Sequence, residues 1–271
     1  MKIFGIMLIK DEIDIIRSTL AAARDLFDRI IVIDNGSSDG TWEVVKELES
    51  EVITPWKQDL RPYSNGLRAD VFNAFKHEAI DGDWWCYKMD ADEFYVDSPR
   101  EFLSSVPPPY HTVYKRSIDY VITDKDLEEH QYVGEFEADR AYLRYFQPVA
   151  YTEPRFFKHR SKLVWKPGTK SPQHMGIRWY KPITVKHYQW RSPQQIQHRL
   201  DVRHQVRVEG KNSQFRHITQ RNWKEVIKDH KKMLLDEGRS TYNDVPLKKN
   251  IKLSWYEYAI KRFLHGAGIY P

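Results

Sequence analysis

Short apolar runs recur through the first 95 residues, and they restrict the fold more than any other feature of this chain. Arg29–Asp34 is the clearest, since a continuous β-branched run is typical of a strand buried on both faces of a parallel sheet. Ile3–Ile9 and Trp84–Asp92 predict two further strands of this kind, and Glu51–Ile53 predicts a short one.

Segments with the spacing of amphipathic helices separate these runs. Apolar side chains recur every three or four positions over Asp11–Phe27, from Trp42 onward, and over Gly66–Ile80. Either Asp39 or Thr41 is suited to cap the second of these helices. The alternation of strand and helix predicts an α/β fold with a mostly parallel, doubly wound sheet.

Acidic residues stand at the ends of several predicted strands. Asp11 follows the first strand, Asp34 ends the second, and Asp90 and Asp92 end the strand that begins at Trp84. Ligands of open α/β sheets bind beyond the carboxyl ends of the strands, which meet at one edge. We therefore expect these acids, which are distant in sequence, to form a single site.

The stretch Asp90-Ala91-Asp92 has the character of a metal site. In an extended strand the side chains of Asp90 and Asp92 project to the same side, because the strand period is two. Two hard oxygen ligands suit Mg²⁺ or Mn²⁺, which fill their other positions with water and substrate phosphates. The alternative is a solvated acidic turn, a common feature, but a buried strand that delivers the acids favours the metal.

Charge is distributed unevenly along the chain. Residues 1–150 hold 17 Lys and Arg against 29 Asp and Glu, a net charge of −12, and residues 151–271 hold 26 against 9, a net charge of +17. An acidic part joined to a basic part suits a polyanionic ligand such as a nucleoside diphosphate, or an anionic acceptor or membrane surface. Nucleic acid is the competing explanation for the basic part.

Composition gives a prediction of the compartment. No run of 18 or more apolar residues occurs, so no transmembrane helix is expected. The apolar start Ile3–Ile9 is too short for a signal peptide and has no small-residue cleavage site. Cys86, the single cysteine, cannot form an intramolecular disulfide, which favours a reducing, cytoplasmic compartment.

The last part of the chain is predicted to be a helical extension. A capping box with proline opens at Ser192 and predicts a helix to about Glu209, and a second box at Asn222 predicts a helix to about Glu237. The domain prediction is one domain over 1–190, with halves 1–95 and 96–190, followed by an extension over 191–271.

Several motifs resemble those of a known family. The chain is similar to the family 2 glycosyltransferases with a GT-A fold, and most similar to short bacterial members related to lipopolysaccharide-core glucosyltransferases. The resemblance is carried by six stretches: Ile6–Glu12, Ile31–Thr41, Gly66–Asp70, Met89–Phe94, Pro154–Phe157 and His187–Ser192. It is firm over about residues 3–95 and looser beyond them.

The resemblance implies an activity with its cofactor and partners. A sugar would pass from a nucleotide-sugar donor, expected to be UDP-linked, to an acceptor hydroxyl with inversion, in the synthesis of a surface polysaccharide or glycoconjugate. Mn²⁺ or Mg²⁺ would assist the reaction. The implied partners are the donor and a glycan or glycolipid acceptor, with peripheral membrane contact and a homo-oligomer as further options, and with no nucleic acid.

The resemblance also implies roles for particular residues in donor binding. Asp34 would accept hydrogen bonds from the base or ribose, with Asp11 or Glu12 near the same pocket. Asp39 would either bind the base or cap the following helix. Arg68 would reach the base or a phosphate, unless it is an ordinary exposed helix arginine.

Four residues are candidates for holding the metal. Asp90 and Asp92 would position an ion that neutralises charge on the leaving diphosphate. Family members often add a late histidine, for which His187 and His174 are the candidates, although a lone histidine is more often structural. Arg191 would contact a phosphate, or would simply belong to a basic surface.

The catalytic base has no clear motif. An inverting transferase needs a carboxylate or histidine within hydrogen-bond reach of the acceptor hydroxyl. Many family members carry it in a Glu-Asp pair that this chain lacks, and related short enzymes have His-Glu where this chain has His174-Met175. Three acids remain as candidates: Glu153, Asp119 and Glu93.

Other functions are weaker alternatives. A catalytically degenerate GT-A scaffold would retain the fold without transfer. A nucleic-acid-binding protein would use the basic part of the chain, although no recognisable nucleic-acid module is present. A nucleotidyltransferase would usually show a glycine-rich phosphate loop near the N-terminus, and Ile6–Glu12 has none.

Overall fold

The computed structural model describes residues 1–208 and 219–271, with the side chains of 206–208 left out of the description. The chain separates into two compact units. Unit 1 consists of Met1–Ser117, Tyr151–Val185 and Leu247–Pro271, and unit 2 consists of Ile118–Ala150 and Lys186–Pro246. The division predicted from the sequence, at residue 190, stays a prediction.

The described residues contain ten strands and nine α-helices, numbered here in chain order. The strands are β1 Ile3–Ile9, β2 Arg29–Asp34, β3 Ile53–Gln58, β4 Trp84–Met89, β5 Glu93–Tyr95, β6 Thr112–Val121, β7 Tyr145–Phe146, β8 Tyr151–Lys158, β9 Ile183–His187 and β10 Leu234–Leu235. The helices are α1 Ile16–Ala23, α2 Thr41–Glu47, α3 Leu67–Phe75, α4 Pro99–Ser104, α5 Asp124–Glu129, α6 Phe136–Asp139, α7 Pro193–Val208, α8 Arg239–Asn243 and α9 Trp255–Gly266.

The sheet of unit 1 has a parallel centre. Strand β1 runs parallel to β2 and to β4, and β2 runs parallel to β3. On the other side of β4 the sheet becomes antiparallel, because β8 pairs antiparallel with β4 and with the first residues of β6. The short strand β5 pairs with β9. This arrangement confirms the predicted α/β fold with a mostly parallel, Rossmann-like sheet.

The register brings the strand ends to one edge. Ile9 lies opposite Asp34 in the β1–β2 pair, and Met7 lies opposite Met89 in the β1–β4 pair. The three strands therefore finish close together, so the residues that follow them share the carboxyl edge of the sheet. This is the arrangement that the sequence predicts for the acids.

Each face of the sheet has its own core, because neighbouring side chains of a strand point to opposite faces. One core joins alternate residues of β1, β2 and β4 to helices α1 and α2. The other joins the remaining residues of these strands to α3. In the second core Trp85 stacks on Phe4 with ring centroids 4.7 Å apart, and Phe72 of α3 meets Trp85 edge-on at 5.1 Å. Helices thus cover both faces, as in a doubly wound sheet.

Several predicted element boundaries are wrong in unit 1. The strand expected at Glu51–Ile53 is Ile53–Gln58, and the helix expected to reach Ile80 ends at Phe75. The helix expected from Asp11 begins only at Ile16, because residues just before it bond to the loop after β2 instead. The strand beginning at Trp84 ends at Met89, so Asp90 and Asp92 lie in a turn. The strand-period argument for their pointing to the same side therefore does not apply.

Unit 2 contains the predicted helix after Ser192 but not the one after Asn222. Helix α7 covers Pro193–Val208, close to the expected length. The Asn222 capping box is present, yet it opens only a 3-10 turn, Trp223–Val226. Lys228 then bonds to the segment after β6, donating its N–H to Ile122 (3.0 Å) and accepting from the N–H of Asp124 (3.0 Å). These backbone bonds draw the chain into an extended course and end the helix.

Within the described residues, no helix combines the length and the apolar character needed to cross a membrane.

Candidate active site

Asp34, at the end of β2, is fully buried and holds the loop that follows it. Its Oδ2 accepts hydrogen bonds from the N–H groups of Gly36 (3.1 Å) and Ser37 (2.9 Å) and from Gln58 Nε2 (3.0 Å), while Ser37 Oγ donates to Oδ1. A buried carboxylate is tolerated only when it is hydrogen-bonded in this way. The carboxylate and its donors form a preorganised polar site at the strand end.

The loop after β1 is bonded to the loop after β2. Asp11, with a φ of 51°, donates its N–H to Ser37 Oγ (2.9 Å), and its Oδ1 accepts from the N–H of Ser38 (2.8 Å). Glu12 donates its N–H to Thr41 Oγ1 (2.9 Å). The predicted donor-binding acids Asp11, Glu12 and Asp34 are thus brought together through shared serine and threonine partners.

Asp39 bonds to the first residue of α2, although the N-cap residue of this helix is Gly40 and no side chain makes a cap hydrogen bond there. Its Oδ1 accepts from the N–H (2.9 Å) and the hydroxyl (2.5 Å) of Thr41 at the start of α2, and its Oδ2 accepts from the N–H of Ile13 (3.1 Å). An acid at this position also complements the helix dipole. A contact between Asp39 and a nucleotide base stays a prediction.

Arg68 is buried in the first turn of α3, so the alternative of an ordinary exposed arginine is wrong. It is 2% exposed; Nη1 donates to Asn65 Oδ1 (2.9 Å) and Nη2 donates to Asp90 Oδ1 (3.3 Å). Its Nε is buried with no hydrogen-bond partner. Arg68 therefore links helix α3 to the turn after β4, and the N–H at its Nε makes no hydrogen bond.

The turn Asp90-Ala91-Asp92 is held from the side of α1. The backbone carbonyl of Ala91 accepts a hydrogen bond from Thr19 Oγ1. Asp92 is buried, at 3% exposure, whereas the side chain of Asp90 is 33% exposed. The two predicted metal ligands thus lie at the carboxyl edge in different environments.

Arg155 of β8 lies behind Asp90 and organises a cluster of charges. It is completely buried, and its Nη2 lies 2.7 Å from Glu93 Oε2, 3.5 Å from Asp90 Oδ2 and 3.5 Å from Glu153 Oε1. Its Nε and Nη1 have no hydrogen-bond partner. Burial would lower the pKa of Arg155, but the acids around it, Glu93 first, hold that pKa well above its usual range.

Two lysines complete this cluster. Lys115 of β6 pairs with Glu93 and lies 3.1 Å from Glu153 Oε1, and Lys88 lies 2.8 Å from Glu153 Oε2. Both lysines were absent from the site predicted from the sequence, since strand lysines carry no motif. Arg155 belongs to the Pro154–Phe157 stretch, where the sequence suggested either a phosphate contact or a basic surface.

Two of the three candidate bases, Glu153 and Glu93, lie against these cations, and the third, Asp119, belongs to unit 2. Burial raises the pKa of Glu153, but Lys115, Arg155 and Lys88 outweigh burial and lower that pKa far below its usual value. A carboxylate with such a low pKa is a weak base. Glu93 is buried against the same cations, and Asp119 lies in unit 2, where it bonds to His187 Nδ1 at 2.8 Å. The identity of the base stays a prediction.

The remaining predicted residues lie in two places. His187 and Arg191 are in unit 2, where Arg191 is buried and donates from Nη1 to the carbonyl of Tyr188 (3.2 Å). His174, in unit 1, is exposed, has a φ of 52° and stacks on Tyr270 with centroids 4.0 Å apart. Their roles as metal or phosphate ligands stay predictions.

Asp90 and Asp92 fit a hard divalent cation by chemistry. Their carboxylate oxygens are the donors that Mg²⁺ and Mn²⁺ prefer, and the partly exposed Asp90 is accessible to an ion and to a phosphate. Asp90, Asp92 and His174 do not form a group of three ligand atoms within 4.8 Å of one another. Across the described ranges that spacing is met by Asp124, Asp229 and His230 of unit 2.

Comparison with known sequences gives an assignment for the N-terminal region. Residues 6–102 match the model of a family described as Glycosyl transferase family 2. Together with the sheet, this match confirms the predicted GT-A class of fold. Over 91 residues the chain is 33% identical to a TPR repeat-containing protein of Synechococcus elongatus. The matched region covers 32% of this chain and 19% of that protein. The chain thus spans about a fifth of that relative's length.

Solved structures give weaker similarities. S. aureus TarS 1–349 in complex with UDP is 16% identical, with a TM-score of 0.32 over 45% of this chain and 36% of that one. TarS 1–349 in complex with UDP-GlcNAc has the same identity and TM-score over 45% of this chain and 34% of that one. A putative glucose-1-phosphate thymidylyltransferase from Bacillus anthracis is 14% identical, with a TM-score of 0.30 over 44% and 55%. Likenesses at this level carry no argument about substrate.

Proposed function

We propose that this protein, a glycosyltransferase whose residues 6–102 match family 2, transfers a sugar from a nucleotide-sugar donor to an acceptor hydroxyl. The observation that carries the proposal is that the matched region contains the carboxyl edge where Asp34, Arg68 and Asp90 lie. The finer expectations, a UDP-linked donor, inversion and a role in surface polysaccharide or glycoconjugate synthesis in the cytoplasm, belong to this proposal.

The donor nucleotide would bind beside the loops after β1 and β2. Asp34 already accepts hydrogen bonds from Gly36, Ser37 and Gln58. A base or ribose that donates to the Asp34 carboxylate would therefore replace one of its side-chain donors. Of these donors, Gln58 Nε2 is the one that lies on a neighbouring strand, β3. Asp11 and Asp39 would fix the loop around it.

The diphosphate would lie toward Asp90 and Arg68. Asp90 and Asp92 would hold Mn²⁺ or Mg²⁺. When bound, the ion neutralises the charge that builds on the leaving diphosphate. Arg68 and Arg155 orient Asp90 from two sides, since each of its oxygens faces one guanidinium.

The acceptor hydroxyl must lose a proton as the sugar moves. Glu153 and Glu93 are held by Lys115 and Arg155, so their more direct role in this proposal is to fix the charges behind Asp90. The acceptor would be a glycan or glycolipid.

Thermal unfolding in the presence of nucleotides tests this proposal. We expect one nucleoside diphosphate, with Mn²⁺ present, to raise the melting temperature of the wild type, because a ligand that binds only the native state stabilises it. Asp92→Ala should lose that shift. Asp25→Ala, which removes an acid that is 84% exposed, is the matched control and should keep it.

Activity completes the test. Release of the same nucleoside diphosphate from its sugar conjugate, in the presence of acceptor extracts, should depend on Asp92 and not on Asp25. If no nucleotide shifts the melting temperature and no sugar is transferred, the chain is a degenerate GT-A scaffold. Metal-independent, salt-sensitive binding to generic DNA or RNA would instead support a nucleic-acid binder that uses the basic part of the chain.

A further inference from the structure

Helix α9, Trp255–Gly266, packs on unit 1 by one narrow side. It begins with a capping box in which Ser254 and Glu257 exchange hydrogen bonds. Tyr258 lies against Tyr110 with ring centroids 5.8 Å apart, and His265 lies against His111 at 4.6 Å. These two residues are seven positions apart, about two helical turns, so they lie on the same side of the helix. One side of α9 is therefore fixed to the domain.

The opposite side of α9 exposes large apolar side chains. Trp255 is 82% exposed, Phe263 69%, Ile260 56% and Tyr256 55%. At about 100° per residue these four lie within an arc of about 140°, facing away from Tyr258 and His265. Single exposed apolar residues are ordinary, but a continuous strip of this kind on one helix is typical of an interaction surface.

Basic residues lie in the segment before helix α9 and on the helix itself. Residues 247–271 contain five basic residues against one acid, a net charge of +4: Lys248, Lys249, Lys252, Lys261 and Arg262 against Glu257. Four of the five are exposed, and Lys261 is half-buried. Arg262 lies beside the strip, since it is one residue from Phe263 and seven from Trp255. The surface therefore combines aromatic side chains with positive charge.

We propose that helix α9 and the lysines before it bind the surface of an anionic lipid bilayer. Amphipathic helices with aromatic and aliphatic residues on one face and Lys or Arg beside it lie in the plane of the headgroups, with the apolar face inserted. Trp and Tyr favour this interface because each has an apolar ring and a polar tip. The positive charge selects anionic lipid over a neutral apolar partner, which the aromatic strip alone would not do.

The test is co-sedimentation of the full chain with phosphatidylcholine vesicles that contain or lack phosphatidylserine. We expect binding at least about tenfold tighter to the anionic vesicles, weakening as salt is raised. The double variant Trp255→Ala with Phe263→Ala should lose at least about tenfold in vesicle affinity. Ile80→Ala, which removes a side chain that is 72% exposed elsewhere in unit 1, is the matched control and should bind as the wild type does.

A second variant separates charge from apolar contact. Lys248→Gln with Lys249→Gln and Lys252→Gln removes exposed charges without touching the helix, and it should remove the preference for anionic vesicles. Equal binding of wild type and Trp255→Ala with Phe263→Ala would overturn the proposal. So would a concentration-dependent oligomer that forms without lipid and disappears in that double variant, since the strip would then be an interface between copies. Vesicle binding needs neither donor nor acceptor, so its outcome is independent of the proposed transferase activity.

Discussion

Arg155 is a single side chain on which three acids depend. Glu93, Asp90 and Glu153 all lie within 3.5 Å of its Nη2, and the arginine itself is completely buried. A buried ion pair is a weak source of net stability, but the loss of one partner leaves uncompensated charge in the interior. The ion pairs of Arg155 therefore add little net stability, but the removal of its charge would leave the acids uncompensated.

Replacing Arg155 by glutamine should destabilise the protein strongly. We expect Arg155→Gln to lower the free energy of unfolding by about 3–5 kcal/mol, because Glu93 and Asp90 lose a buried counter-charge. Urea denaturation measures the change. The control Arg24→Gln removes a guanidinium that is 65% exposed and should cost less than about 1 kcal/mol. A small effect of Arg155→Gln would mean that water or Lys115 compensates the acids.

Glu153 should make the stability of the protein depend on acid pH. Its pKa is lowered in the folded state, where Lys115, Arg155 and Lys88 together outweigh burial, and its ordinary value is 4.5. A lowered folded-state pKa contributes stability above the unfolded value, and this contribution is lost as the pH falls through and below about 4.5. The charge of Glu153 therefore stabilises the folded protein at neutral pH and less so in acid.

Glu153→Gln checks this dependence. At neutral pH the variant should unfold at lower urea concentration than the wild type, and the difference should narrow as the pH is lowered below about 4.5. Glu51→Gln, at an exposed position, should follow the wild type at every pH. A difference that stays constant with pH would show that lost packing, and not charge, accounts for the effect.

Helix α3 begins where the backbone passes very close to another segment. A Cβ on Gly66 would lie 2.6 Å from backbone atoms of Gly168. Because these are backbone atoms, no side-chain movement can relieve the contact. This approach places the first turn of α3, and with it Arg68, near the turn that contains Asp90. The glycine in the Gly66–Asp70 motif is thus explained by packing.

Gly66→Ala should destabilise the protein by about 1–3 kcal/mol, as forced overpacking does. Thermal unfolding gives the comparison with Gly266→Ala, where a new Cβ meets nothing within 4 Å and helix propensity improves by up to about 1 kcal/mol. The two substitutions add the same methyl group, so opposite signs would isolate the close approach at Gly168. A neutral Gly66→Ala would mean that the segment around Gly168 moves aside at little cost.

At the level of the whole chain, the acidic and basic parts do not fold separately. Strand β8 comes from the basic part of the sequence, yet it pairs antiparallel with β4 of the acidic part, with Cys86 opposite Phe156. This pairing brings Arg155 behind the acidic turn. The net charges of −12 and +17, which suggested a polyanionic ligand, are partly neutralised inside unit 1.

The parallel centre of the sheet and the edge that carries the acids could be predicted from the amino-acid sequence. Both follow from local patterns: continuous apolar runs make buried strands, helical stripes cover them, and parallel strands end at the same edge. Asp34 at the end of β2 and Asp90 after β4 were found in this way.

The surroundings of those acids depend on contacts between segments that are distant in sequence. The capping box at Asn222 predicts a helix locally, but backbone bonds between Lys228 and the segment after β6 override it. Lys115 and Arg155 join Glu93 because β6 and β8 lie side by side, a pairing that no local period encodes. Local periodicity specifies helices, strands and the ends of strands. Charged residues on strands that are distant in sequence come into contact only when those strands pair in the sheet.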